Sequence, residues 1–226
     1  MNILLTGGSG LLGQEILRLM PEIDAPTRKQ LDLTEAKPLY LETIPDLVVH
    51  AAAYTSVNQA ELEQELCYAT NVTGTKRLAS IGCPMLYVST DSVFDGAMGK
   101  YAEDDVPYPK NFYSLTKLLG EQHVRNGIIV RCCPKTRPWA HEVACTDRWF
   151  SAEYVDQTAA KIVRIIKMMV QQDRLPKILH IGGARRTHFE MAQETRADVK
   201  GIEIPEYTVY RGRDLSLDTS LWESLQ

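Results

Sequence analysis

Three glycines, at positions 7, 10 and 13, constrain this chain more than any other feature. They form G-x-x-G-x-x-G directly after a short apolar run, Asn2 to Thr6. Leu11, Leu12, Ile16, Leu17 and Leu19 follow with helical periodicity, so the order reads strand, glycine turn, helix. Glycine permits the tight turn and lets a pyrophosphate approach the main chain. The helix N-terminus then offers free N–H groups and a partial positive charge to the anion. In this context the motif reads as a nucleotide-binding loop, with a purely structural turn as the alternative.

The rest of the chain fits the fold class such a loop belongs to. Leu47–Val49, Met85–Val88, Ile128–Val130 and Ile178–Ile181 are short apolar runs of the kind that form buried parallel strands. A weak strand candidate lies at Glu22 to Ala25. Helices are expected from a Thr34 cap to about Thr43, from Asn58 to Ser80, from Tyr113 to about Arg125 and over His188 to Glu194. A possible strand lies at Tyr207 to Tyr210. Alternating strands and helices imply an α/β fold, a Rossmann-type doubly wound parallel sheet. The pattern blurs after Arg131, and a boundary is placed at residue 136. Residues 1–136 form the dinucleotide-binding domain. Residues 137–226 form an abbreviated substrate-binding region, with helix 153–171 and strand 178–181 returning to the sheet.

Composition excludes several classes. The chain has 226 residues, 44% hydrophobic and 24% charged, an ordinary globular balance. Its net charge of −4 gives no basic footprint, so no nucleic-acid partner is expected. No apolar run approaches the ~18 residues a membrane span needs, and no basic segment precedes the first apolar run. The expected location is the cytoplasm, with no membrane partner. The five cysteines show no C-x-x-C pair and the histidines no ligand spacing, so neither a disulfide framework nor a metal site is expected.

A second cluster of residues carries chemistry. Tyr113 and Lys117 stand at i and i+4, on one face of one helix. An ammonium beside a phenol lowers its pKa from ~10, so the tyrosine can give or take a proton at a carbonyl oxygen. Thr90, with Asp91 after it, ends a strand at the sheet edge where open α/β folds bind ligands, and its hydroxyl can bond the same oxygen. Arg28 and Lys29 favour the 2′-phosphate of NADPH. Asp24 is a candidate ribose acid that would reverse the preference toward NADH, and simple spacing from the glycines points instead to Asp32. Trp139, Trp149 and Phe150 either stack on a base or close a small core. Arg185 and Arg186 are candidates for a substrate diphosphate.

These strings resemble the dTDP-4-dehydrorhamnose reductase family of the extended short-chain dehydrogenase/reductase superfamily. The resembling segments are M-N-I-L-L-T-G-G-S-G-L-L-G at 1–13, R-K-Q-L-D-L-T at 28–34, H-A-A-A-Y-T-S-V-N-Q-A-E at 50–61, T-N-V-T-G-T at 70–75, V-S-T-D-S-V-F-D-G at 88–96 and Y-A-E-D-D-V-P-Y-P-K-N-F-Y-S-L-T-K-L-L-G-E at 101–121. The resemblance covers 1–131 and returns faintly at 146–166 and 214–220. It implies that Gly7, Gly10 and Gly13, with Leu11 and Leu12 between them, hold the pyrophosphate of NADPH, with NADH as the alternative, and that Asp32 and Leu33 border its adenine, beside the Arg28 already read as favouring NADPH. It implies that Ala51, Ala52, Ala53 and Asn71 line or support the nicotinamide side. Tyr113 would be the proton donor and Lys117 the ribose ligand. Thr90 would bind the substrate carbonyl, with Asp91 beside the substrate. The implied enzyme is an NAD(P)-dependent oxidoreductase that delivers hydride to C4 of a nucleotide-linked 4-keto-6-deoxy sugar, dTDP-4-dehydro-L-rhamnose or a close relative, in dTDP-rhamnose biosynthesis.

The departures are specific. Ser114 replaces a glycine, Asn58 replaces an aspartate, and the family's R-T-S-W reads Arg131-Cys132-Cys133-Pro134. Family members run to almost 300 residues, and the missing stretch follows Arg131, where the sugar-nucleotide pocket is normally built. A second subunit, as in a homodimer, is one way to complete it. A nucleotide-sugar epimerase or dehydratase is the alternative within enzymes. A non-catalytic NADP-binding regulatory subunit is the alternative outside them.

Overall fold

The computed structural model describes residues 1–35, 39, 41–205 and 209–225. Five parallel strands form the central sheet: β1 (Ile3–Thr6), β2 (Leu47–His50), β3 (Met85–Thr90), β4 (Gly127–Cys132) and β5 (Ile178–His180). They lie side by side in chain order. Every residue of β1 and β2 is buried, as a sheet covered on both faces requires.

Helices supply both covers. On one face α1 (Leu11–Leu19) packs against α6 (Val155–Val170), with Ile16, Ile162 and Ile166 fully buried between helices and sheet. Trp222 of the short α8 (Ser220–Ser224) closes that core. The other face carries α2 (Val57–Leu62), α3 (Gln64–Tyr68), α4 (Gly74–Ala79) and α5 (Phe112–Glu121). The fold is therefore the doubly wound α/β sheet expected. No helix among the described residues is long and apolar enough to cross a membrane.

Several local expectations are corrected. Glu22–Ala25 is not a strand: only Asp24 bridges to β1, through Leu5 N–H to Asp24 O at 2.7 Å and Asp24 N–H to Ile3 O at 3.1 Å. Pro21 and Pro26 flank it and offer no ladder donors. The described residues of 34–43 contain no helix. Thr34, the expected cap, donates its N–H and hydroxyl back to Asp32 Oδ1, at 2.8 and 2.6 Å, and closes a local turn instead. The expected helix over 58–80 is broken at Glu63 (φ −111°, ψ 47°) and by a π-helical turn over Ala69–Thr73. The helix begun at Tyr113 stops at Glu121, four residues short. Part of the Tyr207–Tyr210 candidate lies outside the described residues, and Val209 and Tyr210 are not in a strand.

Beyond β4 the chain pairs in short pieces. Pro134–Lys135 pairs with Glu153–Tyr154, Val143–Cys145 with Lys200–Ile202, and Trp149–Phe150 with Arg186–Thr187. These pieces and α7 (His188–Gln193) enclose a small second core of Trp139, Phe150, Tyr154, Met191 and Val199. Trp139 and Phe150 thus serve packing, while Trp149 lies under the Arg185 guanidinium at 3.9 Å. A strap over Asp214–Asp218 crosses back to the loop before α5. Tyr101 N–H donates to Ser216 O (3.0 Å), Asp218 N–H to Tyr101 O (2.8 Å), and Lys100 N–H to Ser216 Oγ (2.8 Å). Leu215 and Leu217 bury against Phe94 and Tyr101.

Candidate active site

The chain leaves β1 toward Asp24 on one side, then crosses to β2 on the other. Such a reversal opens a crevice at the carboxyl ends of the strands. A cleft of about 740 Å³ lies there. One end is walled by Gly7–Gly13, Pro26, Arg28 and Leu31–Thr34, the middle by Ala51–Ala53, and the far end by Thr90, Asp91, Tyr113, Lys117 and Cys132–Lys135.

The glycine loop is built for close approach. Gly7 has φ +80°, a left-handed conformation that favours glycine. A Cβ on Gly13 would stand 2.1 Å from Gly7 O, so only glycine lets α1 start against the turn. Gly10 N–H closes the loop on Gly7 O at 2.9 Å. The first turn of α1 has no side-chain cap and no acidic residue, which leaves its orphan N–H groups to an anion. Those features fit the pyrophosphate of a dinucleotide.

At the same end, Arg28 lines the cleft and reaches Asp32 at 3.4 Å. Asp24 is exposed and does not line it. The Asp32 carboxyl is held below its ordinary pKa, first by the Thr34 bonds, with Arg28 adding to them. Arg77 pins this loop through Asp32 O (3.1 Å) and Leu33 O (2.7 Å).

The middle of the cleft rests on a buried chain of hydrogen bonds. Thr75 donates to Asn71 O at 2.7 Å, so it accepts from His50 Nε2 at 2.9 Å. His50 Nδ1 then accepts from Thr6 at 2.7 Å, and Thr6 Oγ1 accepts from Ala52 N–H at 3.4 Å. Burial, with help from the Lys117 charge, lowers the His50 pKa to about 3 and keeps the ring neutral. Asn71 lies behind the cleft wall. It grips the next turn of the same loop through Tyr54 N–H (2.8 Å) and Tyr54 O (3.1 Å), and α5 through Thr116 Oγ1 (3.0 Å). The π-turn carries Asn71, which is 1% exposed, into the interior.

The far end holds the tyrosine, lysine and threonine singled out from the sequence. Asn111 caps α5 by accepting from Ser114 N–H at 2.9 Å. Tyr113 and Lys117 share the face of α5 that meets the cleft. Lys117 donates to Val88 O at 2.8 Å, with its Nζ 4.1 Å over the Tyr87 ring. Burial lowers its pKa to about 8, opposed by the Glu121 charge. The Tyr113 phenol does not show the lowered pKa that the spacing with Lys117 suggests. Burial raises it, with the Asp91 charge adding to the rise and the nearby Thr90 hydroxyl opposing it. The spacing fixes the shared face but not the direction of the ammonium, which turns to Val88. The Thr90 hydroxyl donates to Asp91 Oδ1 at 3.1 Å. Burial pushes the Cys133 thiol up to about 12, so it is not a thiolate.

Sequence reading missed the network beneath these groups. Glu121, two turns beyond Tyr113, accepts from Ser89 (2.6 Å) and from Arg131 Nε and Nη2 (3.0 and 2.8 Å). Arg131 also donates to His180 Nε2 at 3.3 Å, and His180 Nδ1 donates to Tyr101 O at 3.0 Å. A charged residue closing the apolar run Ile128–Val130 was its one visible signal. Arg185 and Arg186 do not stand free for a diphosphate: Arg185 pairs with Asp214 at 2.7 Å and Arg186 with Glu194.

Comparison with known proteins now places the chain. Residues 1–133 match the family model described as RmlD substrate binding domain. The chain belongs to that family. A dTDP-4-dehydrorhamnose reductase of Aggregatibacter actinomycetemcomitans is 33% identical over 179 residues, 73% of this chain and 57% of that protein. The methionine adenosyltransferase 2 subunit beta of Xenopus tropicalis is 34% identical over 230 residues, 83% of this chain and 69% of that protein. The dTDP-4-dehydrorhamnose reductase of Bacillus anthracis, solved in complex with NADP, superposes with TM-score 0.81 at 25% identity, covering 100% of this chain and 93% of that one. In sequence this RmlD-family chain spans about half the length of the first curated reductases it matches, from 44% to 57%.

Proposed function

We propose that the protein is an NADPH-dependent reductase of a nucleotide-linked 4-keto-6-deoxy sugar, of the dTDP-4-dehydro-L-rhamnose type. The observation that carries this reading is the far end of the cleft, which Thr90, Tyr113 and Lys117 line together, with Lys117 one helical turn beyond Tyr113. The Aggregatibacter and Bacillus proteins bear the reductase name, and the Bacillus structure contains NADP.

Gly7, Gly10, Gly13 and the N–H groups of Leu11 and Leu12 would hold the pyrophosphate. Arg28 would meet the 2′-phosphate, with Asp32 and Leu33 at the adenosine. Ala51–Ala53, braced by His50 and Asn71, would line the nicotinamide side. NADPH, when bound, supplies the hydride. Thr90 orients the substrate carbonyl. A raised phenol pKa keeps Tyr113 protonated at neutral pH, as a proton donor must be, and it protonates the new alkoxide. Lys117 turns from Val88 O toward the ribose. Asp91 stands beside the substrate. Residues 1–136 would bind the cofactor and 137–226 the sugar side, in a cytoplasmic protein that a homodimer partner can complete.

The test is NADPH oxidation at 340 nm with dTDP-4-dehydro-L-rhamnose. Turnover is expected from the wild type and a loss of at least 100-fold from Tyr113→Phe, with NADPH affinity retained. No turnover from a wild type that binds NADPH overturns the reading. One observation favours a second reading, a dinucleotide-binding subunit of another enzyme: the relative that shares 83% of this chain is named as a subunit. Co-purification of a partner enzyme whose activity responds to NADPH would support it.

A further inference from the structure

Among the described residues at the far end of the cleft, Lys135 is a cation that the assigned chemistry leaves unused. Lys135 follows Cys132 and Cys133 out of β4 and lines the cleft wall past Tyr113. A two-residue pairing with Glu153–Tyr154 fixes its backbone. Its side chain is half-buried, and among the described residues no carboxylate pairs with it. The Cys133 thiol, which also meets Asp91, lies beside it, and the Phe150 ring is 5.7 Å away. A half-buried ammonium without a counter-ion has lost hydration without recovering it, so it is poised for an anion.

A second observation lies behind it. His188, at the start of α7, feels three positive charges from three segments: Arg148, Lys135 and Arg211. Arg148 donates to Arg211 O at 2.5 Å and Arg211 to Asn58 Oδ1 at 2.6 Å, so both guanidinium groups are held in place. Burial and these charges keep the His188 ring neutral, with its pKa lowered to about 2. The cations that neighbour His188 thus share one potential, and Lys135 is the member that opens on the cleft. The two arginines expected from sequence to take a diphosphate are paired with Asp214 and Glu194, leaving Lys135 the better placed cation.

We propose that Lys135 binds the diphosphate of the nucleotide-linked substrate, with Arg148 and Arg211 reinforcing the field behind it. The inference rests on the reductase reading for the identity of the ligand. It places the sugar between Tyr113 and Lys135, so the diphosphate is what positions the keto carbon. A free keto sugar would bind poorly.

The test measures binding, apart from turnover. The holo-protein, saturated with NADP+ so that the glycine loop is filled, is titrated with dTDP and separately with thymidine by calorimetry. The wild type is expected to bind dTDP far more tightly than thymidine. Lys135→Met should lose roughly tenfold to a hundredfold of dTDP affinity, as for one charge-assisted bond. Thymidine and NADP+ affinities should be unchanged, and Lys135→Arg should restore most of the loss. Unchanged dTDP affinity in Lys135→Met overturns the proposal, as does a wild type that prefers dTDP no more than thymidine. A wild type that binds dTDP through Lys135 yet never oxidises NADPH would sink the reductase reading while leaving the subsite standing.

Discussion

At the residue scale, two groups set the behaviour of the cleft. Gly13 has no room for a side chain: its Cβ would meet a backbone oxygen at 2.1 Å, which no rotamer change relieves. Gly13→Ala is expected to lower NADPH affinity at least tenfold and to cost about 2 kcal/mol or more, as for strained and overpacked substitutions. Fluorescence titration and urea unfolding check both. Lys117 is charged below about pH 8 and neutral above it. NADPH binding should therefore weaken as pH rises through 8, and Lys117→Met should flatten that limb. The effect on stability runs the other way. Between about 8 and the ordinary lysine value of 10.5 the unfolded chain holds a proton the folded one has lost, so this group's contribution rises with pH there. The glycine spacing and the Tyr113–Lys117 spacing were both legible in the sequence. The phenol's raised pKa was not, because it depends on burial and on where the ammonium points.

At the element scale, the π-turn and α5 form one unit. Asn71 joins the loop after β2 to α5 through three hydrogen bonds. Asn71→Ala leaves the Tyr54 N–H and carbonyl without those partners, a cost of about 1–3 kcal/mol, with a parallel loss of NADPH affinity because Ala51–Ala53 lose their brace. Asn71→Asp, which keeps one acceptor, should recover part of the binding. Arg131 ties β4 to α5 and β5. Arg131→Met strands the Glu121 charge in the core and should destabilise by about 3–5 kcal/mol in urea melts, whereas the Glu121→Met, Arg131→Met double variant should cost less than the sum. Neither device was readable from periodicity. The helical run from Asn58 looks continuous because the break at Glu63 carries no glycine or proline. Thr34 looked like a helix cap because nothing local shows that Asp32 claims its hydroxyl.

At the scale of the whole molecule, three histidines are folded in neutral form. Burial lowers His50 to about 3, His180 to about 4 and His188 to about 2, with neighbouring cations adding to each shift. Below the ordinary value of 6.5 the unfolded chain takes up protons that the folded chain refuses. Stability from these groups is full above about 6.5 and is lost as pH falls, by roughly 1.4 kcal/mol per pH unit for each fully titrating site. Urea midpoints should therefore fall steeply from pH 6.5 to 4.5, and a flat profile would contradict this. The sheet was visible from sequence because strands buried on both faces read as unbroken apolar runs. The region after Arg131 was opaque for the opposite reason. Its strands are two or three residues long, and Val143–Cys145 finds its partner more than fifty residues later, at Lys200–Ile202.

The strap over Asp214–Asp218 sets a timetable for synthesis. Lys100 and Tyr101 stand ahead of α5, yet their partners are Ser216, 116 residues after Lys100, and Asp218 beyond it. A nascent chain can close the glycine loop and stack its first strands early, because those contacts are near in sequence. It cannot fix the segment leading into Tyr113 until the strap has left the ribosome. A chain stalled on the ribosome short of residue 214 would thus hold its glycine loop and its first strands while the Lys100–Tyr101 loop ahead of α5 still lacks its strap.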